Sequence, residues 1–243
     1  VNHQGKPYSK RDGDAYVGDY REKGFLPEVL FNYLSLLGWS PGDNREKMTR
    51  EEMVKSFTLD RIKSGPAQMD IKKLTHLNAE YVSEMSLDLF ISRVKDAISG
   101  CDWMKGADDA YFEKVAELMQ TRTHLFSYAM GWQYFFTDDF EYDEKSTRKT
   151  LRKEGVKESL LLLISKLEKI DFQEDLVEKA IRDTEREREI REGKLNAAVR
   201  VAVTGTQVGA GLYETIVLLG KERVVVRLTF AAENLCVAGG GEQ

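Results

Sequence analysis

The N-terminal stretch carries two adjacent cations, Lys10 and Arg11, directly after Ser9. Gly5 and Gly13 flank this group, and glycine on both sides relaxes the backbone. The pattern predicts a mobile basic loop that can close over a polyphosphate, because lysine supplies a compact point charge and arginine a planar fork of donors. Short basic clusters are also commonly just solvated, so the residue pattern alone leaves both interpretations open.

A second basic feature is the segment KSTRKTLRKEG, in which cations recur at intervals of three and four residues. On a helix these positions share one face. We call them the basic stripe, and its members are Lys145, Arg148, Lys149, Arg152 and Lys153. Contact with phosphates and a solvated helix face both fit this stripe. The later segment EREREIREG alternates in sign, which is typical of solvent exposure.

Other chemically capable residues favour structural roles. The paired carboxylates lie at predicted loops and helix starts, where aspartate caps helices; they are Asp108, Asp109, Asp138 and Asp139. The three histidines are far apart and have no metal-ligand spacing, so we expect no metal. His124 lies among apolar residues and is predicted to be in the core or an interface. Five aromatic residues could stack on bases, but core packing is favoured because aromatics at helical spacing are normally buried; they are Tyr128, Trp132, Tyr134, Phe135 and Phe136.

Composition narrows the class of protein. The 243 residues include 42% hydrophobic ones, which suffice for a core, and 32% charged ones. The formal net charge of -5 argues against wholesale capture of nucleic acid, although it permits a local basic track. No apolar run reaches the length of a membrane span, and the N-terminal stretch is not a signal peptide. Cys101 and Cys236 are the two cysteines, so we expect no disulfide framework and a cytoplasmic location.

Periodicity predicts helix in nearly every segment after residue 25. Pro27 suits a first helical turn and Gly38 the end of that helix. Its predicted apolar face consists of Leu30, Phe31, Leu34 and Leu37. Thr49 with Glu52 forms a capping box, and Asp70 can cap the helix after it. Residues 194–204 are predicted to be helical despite several β-branched residues. We therefore predict an elongated all-α chain without internal repeats.

Long stretches of the chain resemble bacterial glutamyl-tRNA synthetases. The segment YSKRDGDAYVGDYREKGFLPEVLFNYLSLLGWSPGDN resembles the signature loop of that family together with the segment after it, and FTLDRIKSGPAQMDIKKLTHLN is similar to the family's next stretch. VRVAVTGTQVGAGLYETIVLLGKERVVVRL resembles the end of the anticodon-binding region. The resemblance spans residues 4–235 in the family's order. The related enzymes for glutamine fit less well, because they continue into β-barrels.

This resemblance implies a role for the N-terminal basic loop. It would be the second signature of class I synthetases, which holds the ATP phosphates while glutamate attacks the α-phosphorus. Ser9, Lys10 and Arg11 match that signature, with Lys10 as the catalytic cation. Proline and tyrosine replace the family's first lysine and the apolar residue after it. Lys6 lies one place earlier and would substitute for that lysine as a further ATP ligand.

The resemblance also implies anticodon contacts. Arg122 aligns with an arginine that reads the third anticodon base, and Arg200 aligns with a second anticodon arginine. In the loop after Arg200, Ala210 stands where the family usually has proline, and Gly211 and Leu212 are expected near the anticodon bases. Arginine forks and stacking are the usual means of reading splayed single-stranded bases.

The implied organisation has three parts. Residues 1–85 would hold the signature loop and a helical stem-contact region, 86–142 a first anticodon-binding subdomain, and 143–243 a second one with a disordered tail. The family's nucleotide-binding domain precedes the signature loop, so we expect a C-terminal part of the enzyme that is inactive alone. ATP with Mg²⁺ is the expected cofactor of the full-length parent, and none is expected here.

The expected partner is the tRNA for glutamate, with L-glutamate and ATP binding only in the presence of the missing domain. We expect a monomer with no DNA or membrane partner. The alternative is a free-standing helical RNA-binding or interaction module that does not use the basic loop for catalysis. The reading frame upstream of Val1 separates the two hypotheses.

Overall fold

The computed structural model describes residues 16–236, which form helices joined by turns and loops. This range contains no β-strand, and an isolated antiparallel bridge joins Trp39 and Ile62. The predicted all-α fold is confirmed. The α-helices of this range are α1 (Val17–Glu22), α2 (Pro27–Gly38), α3 (Arg50–Ser56), α4 (Ile71–Glu84), α5 (Leu87–Ala97), α6 (Asp109–Gln120), α7 (Gln133–Phe136), α8 (Glu144–Thr150), α9 (Val156–Leu167), α10 (Glu174–Glu187), α11 (Asn196–Thr204), α12 (Leu212–Leu219) and α13 (Lys221–Asn234).

The described residues divide into two compact units. The first unit comprises 16–101 and 120–130, and the second comprises 102–119 and 131–236. The predicted functional boundaries at residues 85 and 142 fall inside these units. The division into three functional parts therefore stays a prediction, and it differs from the division of the structure into two compact units.

In the first unit, helix α2 begins at Pro27 as predicted, but its buried face differs from the predicted one. Val29 and Tyr33 are buried with Leu30, whereas Phe31 and Leu34 are 45% and 44% exposed. The predicted apolar face is therefore wrong in part. Apolar side chains fill almost the whole circumference of this helix, so periodicity does not single out the side that the rest of the unit covers.

Two predicted helix caps in the first unit are confirmed, whereas the side chain of Ser86, the predicted cap of α5, makes no capping hydrogen bond. Thr49 accepts a hydrogen bond from the backbone N–H of Glu52, whose carboxylate accepts one from the Thr49 N–H in return. Asp70 accepts from the N–H groups of Lys72 and Lys73 at the start of α4. These bonds satisfy donors that the first turn of a helix leaves unpaired.

The core of the second unit combines leucine, isoleucine, valine and alanine with buried aromatic residues. Helix α9 packs against α10 and α13, and α10 packs against α12. Helix α11 carries three valines and is helical as predicted. Most of its residues are buried, so packing outweighs the modest helix-forming cost of β-branched side chains.

No helix within residues 16–236 is long and apolar enough to cross a membrane. The cytoplasmic location expected from the cysteines stays a prediction.

Candidate functional site

The predicted ATP loop, which comprises Lys6, Ser9, Lys10 and Arg11, lies outside the described residues. Its predicted role is therefore neither supported nor opposed by the structure.

Arg122 lies in a short non-helical segment that is anchored on both sides. Gln120, at the end of α6, donates through Nε2 to the carbonyl oxygens of Val82 (3.0 Å) and Met85 (2.7 Å). Downstream, the buried Asn78 donates through Nδ2 to the carbonyl oxygen of His124 at 2.6 Å. The backbone on both sides of Arg122 is thus tied to the end and the middle of α4.

Three side chains of this segment face solvent together. Arg122 and His124 are exposed, as is Tyr128 (53%), and the rings of His124 and Tyr128 lie 6.5 Å apart. The predicted burial of His124 in the core is wrong, because its backbone, not its side chain, makes the inward contact with Asn78. An exposed pair of imidazole and phenol rings, in the same short segment as an exposed arginine, is a suitable surface for unstacked bases.

Arg200 is carried by α11, and a buried carboxylate holds the first turn of that helix. Glu185 is 2% exposed and accepts hydrogen bonds from the N–H groups of Leu195 (2.8 Å) and Gly193 (3.0 Å). Arg182 pairs with the same carboxylate, which balances the buried charge. The start of α11 is thereby fixed to α10.

The C-terminal end of α11 is held by two further side chains. Arg227 is 3% exposed and donates to the carbonyl oxygen of Val203 at 2.7 Å, while the hydroxyl of Tyr142 donates to that of Ala202 at 3.0 Å. Burial lowers the pKa of Arg227, and burial raises the pKa of Tyr142 to about 12. Arg227 also binds Asp138 through Nη2 at 2.6 Å, which compensates its burial.

The loop after α11 begins at a glycine that is required there. Gly205 has φ +75°, and a Cβ at this position would lie 2.5 Å from the carbonyl oxygen of Glu141. Thr204 Oγ1 accepts a hydrogen bond from the N–H of Thr206 and helps to close the turn. The exposed tip of this loop includes Val208, which is 80% exposed. A constrained base with an exposed tip is a suitable arrangement for presenting a short recognition loop.

The loop ends at the predicted anticodon residues Gly211 and Leu212. Gly211 is the N-cap of α12, and the carboxylate of Glu214 folds over it so closely that a Cβ on Gly211 would clash with it. Leu212 is buried, so a contact of this residue with a base would use its backbone. Arg200 and Gly211 thus flank one loop of the second unit, whereas Arg122 belongs to the first unit.

All five members of the basic stripe are exposed, and α8 carries the first three. Arg152 lies beyond that helix and forms a two-pronged ion pair with Glu144, at 2.8 and 3.2 Å. Arg148 has no ion pair within residues 16–236. The stripe therefore offers unequal cations: Arg148 is available to an anion, whereas Arg152 would first have to leave a carboxylate.

Most of the aromatic cluster packs in the core, as favoured. Trp132, Tyr134 and Phe135 are at most 4% exposed, and Phe136 is half-buried, whereas Tyr128 is exposed. The described residues contain no group of three histidine, cysteine, aspartate or glutamate side chains placed to hold a metal ion. Sequence reasoning missed Glu185 and Arg227 as residues that shape the site, because nothing in their local sequence marks them, and it considered Tyr134 only for stacking or core packing.

Two family profiles match the chain. The family described as "Anticodon binding domain" matches residues 67–232, and "tRNA synthetases class I (E and Q), catalytic domain" matches residues 1–76. The first match begins shortly before α4, ends in the last turn of α13 and includes Arg122 and Arg200. The second match covers the predicted ATP loop.

Curated relatives and solved structures agree with these matches. The chain is 38% identical over 228 residues to a glutamate–tRNA ligase of Desulforudis audaxviator, covering 90% of this chain and 46% of that protein. It is 36% identical over 238 residues to that of Francisella tularensis subsp. novicida, covering 96% and 50%. A crystal structure of a glutamate tRNA ligase from Elizabethkingia meningosepticum matches with a TM-score of 0.75 at 25% identity, over 97% of this chain and 50% of that one. The chain spans about half the length of the curated relatives it matches.

Proposed function

We propose that this chain, which belongs to the anticodon binding domain family over residues 67–232, is the tRNA-binding part of a glutamate–tRNA ligase. The observation that carries this proposal is that the matched region holds two arginines on constrained backbone. Arg122 projects from an anchored turn, and Arg200 lies on a helix held at both ends. The similarity to glutamate–tRNA ligases over 90% or more of the chain supports the choice of tRNA.

Both sites suit a single-stranded loop of RNA. Bases in such a loop are unstacked, so arginine can bond to their edges while aromatic rings stack on their faces. The exposed Tyr128 and His124 supply two neighbouring rings in the segment that carries Arg122. Arg148 and its neighbours in the basic stripe supply positive charge for backbone phosphates. This local attraction explains how a chain with a negative net charge can bind RNA.

The proposal extends to the ligase as a whole. In it, Ser9 to Arg11 and Lys6 bind the phosphates of Mg²⁺-bound ATP, with Lys10 stabilising the charge that develops as glutamate is activated. The class I catalytic profile over residues 1–76 supports this assignment. We also propose that the chain acts as a monomer and binds no DNA. Ligation of glutamate is proposed to need more than this chain, since it spans about half the length of the matched relatives.

Binding of tRNA tests the proposal. Fluorescence anisotropy would compare three labelled RNAs: the tRNA for glutamate, the same tRNA with all three anticodon bases replaced, and a tRNA for an unrelated amino acid. We expect the first to bind best, with the anticodon replacement accounting for most of the difference. Equal affinity for all three would contradict the proposal and favour a general RNA-binding module.

A separate measurement tests the ATP assignment. Calorimetric titration of the chain with Mg²⁺–ATP should show no binding in the micromolar range, because one basic loop provides few of the contacts that ATP needs. Micromolar binding would contradict the proposal that this chain does not bind ATP by itself, and it would leave the proposal of tRNA binding untouched.

A further inference from the structure

The hydroxyl of a buried tyrosine and the guanidinium of Arg200 both lie beside Gly209 in the loop 205–211. A Cβ built on Gly209 would lie 3.2 Å from Nη1 of Arg200 and 3.4 Å from the hydroxyl oxygen of Tyr134. Both polar atoms therefore lie against the same face of one glycine, and Gly209 leaves room for them because it has no side chain. No motif of the anticodon region singled out either Tyr134 or Gly209.

Tyr134 is buried and well packed, so it can limit the positions open to the Arg200 guanidinium. It is 4% exposed, its ring packs 4.4 Å from that of Phe135, and the short helix α7 carries it. Burial raises the pKa of the Tyr134 hydroxyl strongly, while the positive charge of Arg200 opposes that rise. The hydroxyl therefore stays neutral at physiological pH, so it can orient Arg200 by its dipole without neutralising the charge.

The surroundings fix the backbone that carries Arg200. Both ends of α11 are held by Glu185 and Arg227, and Gly205 fixes the start of the loop. The backbone of Arg200 is thus set by the helix, and only its side chain remains adjustable. Tyr134 and Gly209 bound the space into which its guanidinium can turn.

We propose that Tyr134 is a positioning residue for anticodon recognition, which orients the guanidinium of Arg200 beneath Gly209. This inference rests on the proposed function of the chain. The arginine provides the contact with the base, and the tyrosine acts through the arginine. The ligand is an unstacked base in the single-stranded anticodon loop of a tRNA.

The substitution Tyr134→Phe tests this inference, because it removes the hydroxyl and keeps the ring. The readout is the ratio of dissociation constants for the glutamate tRNA and for variants that each change one anticodon base. We expect the ratio at the base read by Arg200 to fall by about two- to tenfold, the scale of one hydroxyl interaction. Ratios at the other two bases should stay unchanged. The substitution Arg200→Gln identifies which base is concerned.

Two matched controls separate positioning from stability. Ser159→Ala removes another buried hydroxyl of the same unit, which bonds to the carbonyl oxygen of Gly155; it should lower the melting temperature and leave the ratios alone. Gly209→Ala should reduce the same ratio as Tyr134→Phe, because its Cβ crowds both partners. Gly131→Ala adds a Cβ with nothing within 4 Å and should change nothing.

A double substitution completes the test. If Tyr134 acts through Arg200, then Tyr134→Phe causes no further loss of selectivity when Arg200→Gln is already present. Additive losses, or an unchanged ratio in Tyr134→Phe, would overturn the positioning role of Tyr134. The proposed function would still hold in that case, provided that the wild-type chain is selective for the anticodon. A wild-type chain without any anticodon selectivity would overturn both.

Discussion

The guanidinium of Arg227 donates to the carbonyl oxygen of Val203 at 2.7 Å, and this bond closes the C-terminal end of the helix that carries Arg200. The same side chain binds Asp138 and the carbonyl oxygen of Thr137, and it lies 4.5 Å from the ring of Phe140. A single buried cation thus joins α13, α11 and the segment after α7.

Replacing Arg227 by methionine should destabilise the second unit. The substitution keeps an apolar stem but leaves the buried carbonyl oxygen of Val203 without its donor, and a loss of about 3 kcal/mol in the free energy of unfolding is expected. Urea denaturation followed by circular dichroism measures it. The control Arg148→Met changes an exposed arginine and should stay within about 0.5 kcal/mol of the wild type. Equal effects of the two variants would show that the buried network contributes little.

Replacing Arg122 by glutamine should relax the preference for the third anticodon base. Within residues 16–236 Arg122 has no ion pair, so its loss should not unfold the turn. A two-pronged contact with a base edge discriminates by about 1–3 kcal/mol, and that amount should disappear from the preference. Binding of two tRNAs that differ only at the third base measures it.

The matched control for this test is Arg93→Gln, which removes another exposed arginine of the first unit. It should leave the preference intact. A uniform loss of affinity for both tRNAs in Arg122→Gln would mean that Arg122 has a structural role.

The basic stripe should contribute affinity without selectivity. Changing Arg148 and Arg152 together to alanine should weaken cognate and non-cognate tRNA about equally and lower the salt slope of binding by about one to two units. Because Arg152 is already paired with Glu144, Arg148→Ala alone should account for most of the change. Titrations at several salt concentrations measure the slope.

Arg186 provides the control for the stripe. It is exposed and paired with Asp183 on the helix of alternating charge, so Arg186→Ala should leave the slope unchanged. A slope that is the same in wild type and in the double variant would identify the stripe as a solvated surface.

The start of α8 should depend on pH through Asp143. Hydrogen bonds from Ser146, including its backbone N–H at 2.7 Å, lower the pKa of the Asp143 carboxyl. Because the pKa of Asp143 is lower in the folded state, its cap stabilises the helix at pH values above the pKa of the unfolded state, about 4. This contribution is lost as the pH falls through the pKa of the folded state. The amide resonance of Ser146 in nitrogen-15 spectra should therefore shift below about pH 4.

The variant Asp143→Asn keeps an oxygen acceptor without the titrating proton. Its Ser146 amide should show no such shift over the same range. If the wild type and the variant titrate identically, another group governs this helix.

Much of the fold could be predicted because helix starts are encoded locally. Thr49 and Glu52 are three residues apart, and each side chain accepts a hydrogen bond from the backbone N–H of the other residue. Pro27 has a backbone angle that already fits the first turn of α2. The two arginines proposed to read the anticodon were identified by family resemblance, and their burial and partners did not follow from it.

Only the tertiary structure decided which side of α2 is covered and which groups surround Arg200. Phe31 and Val29 are both apolar, yet only Val29 is buried, because the packing of the first unit decides this. Tyr134 and Gly209 are 75 residues apart and meet at Arg200. Such a meeting depends on long-range packing, since local sequence determines the backbone of a helix or turn but not which distant side chain fills the space beside it.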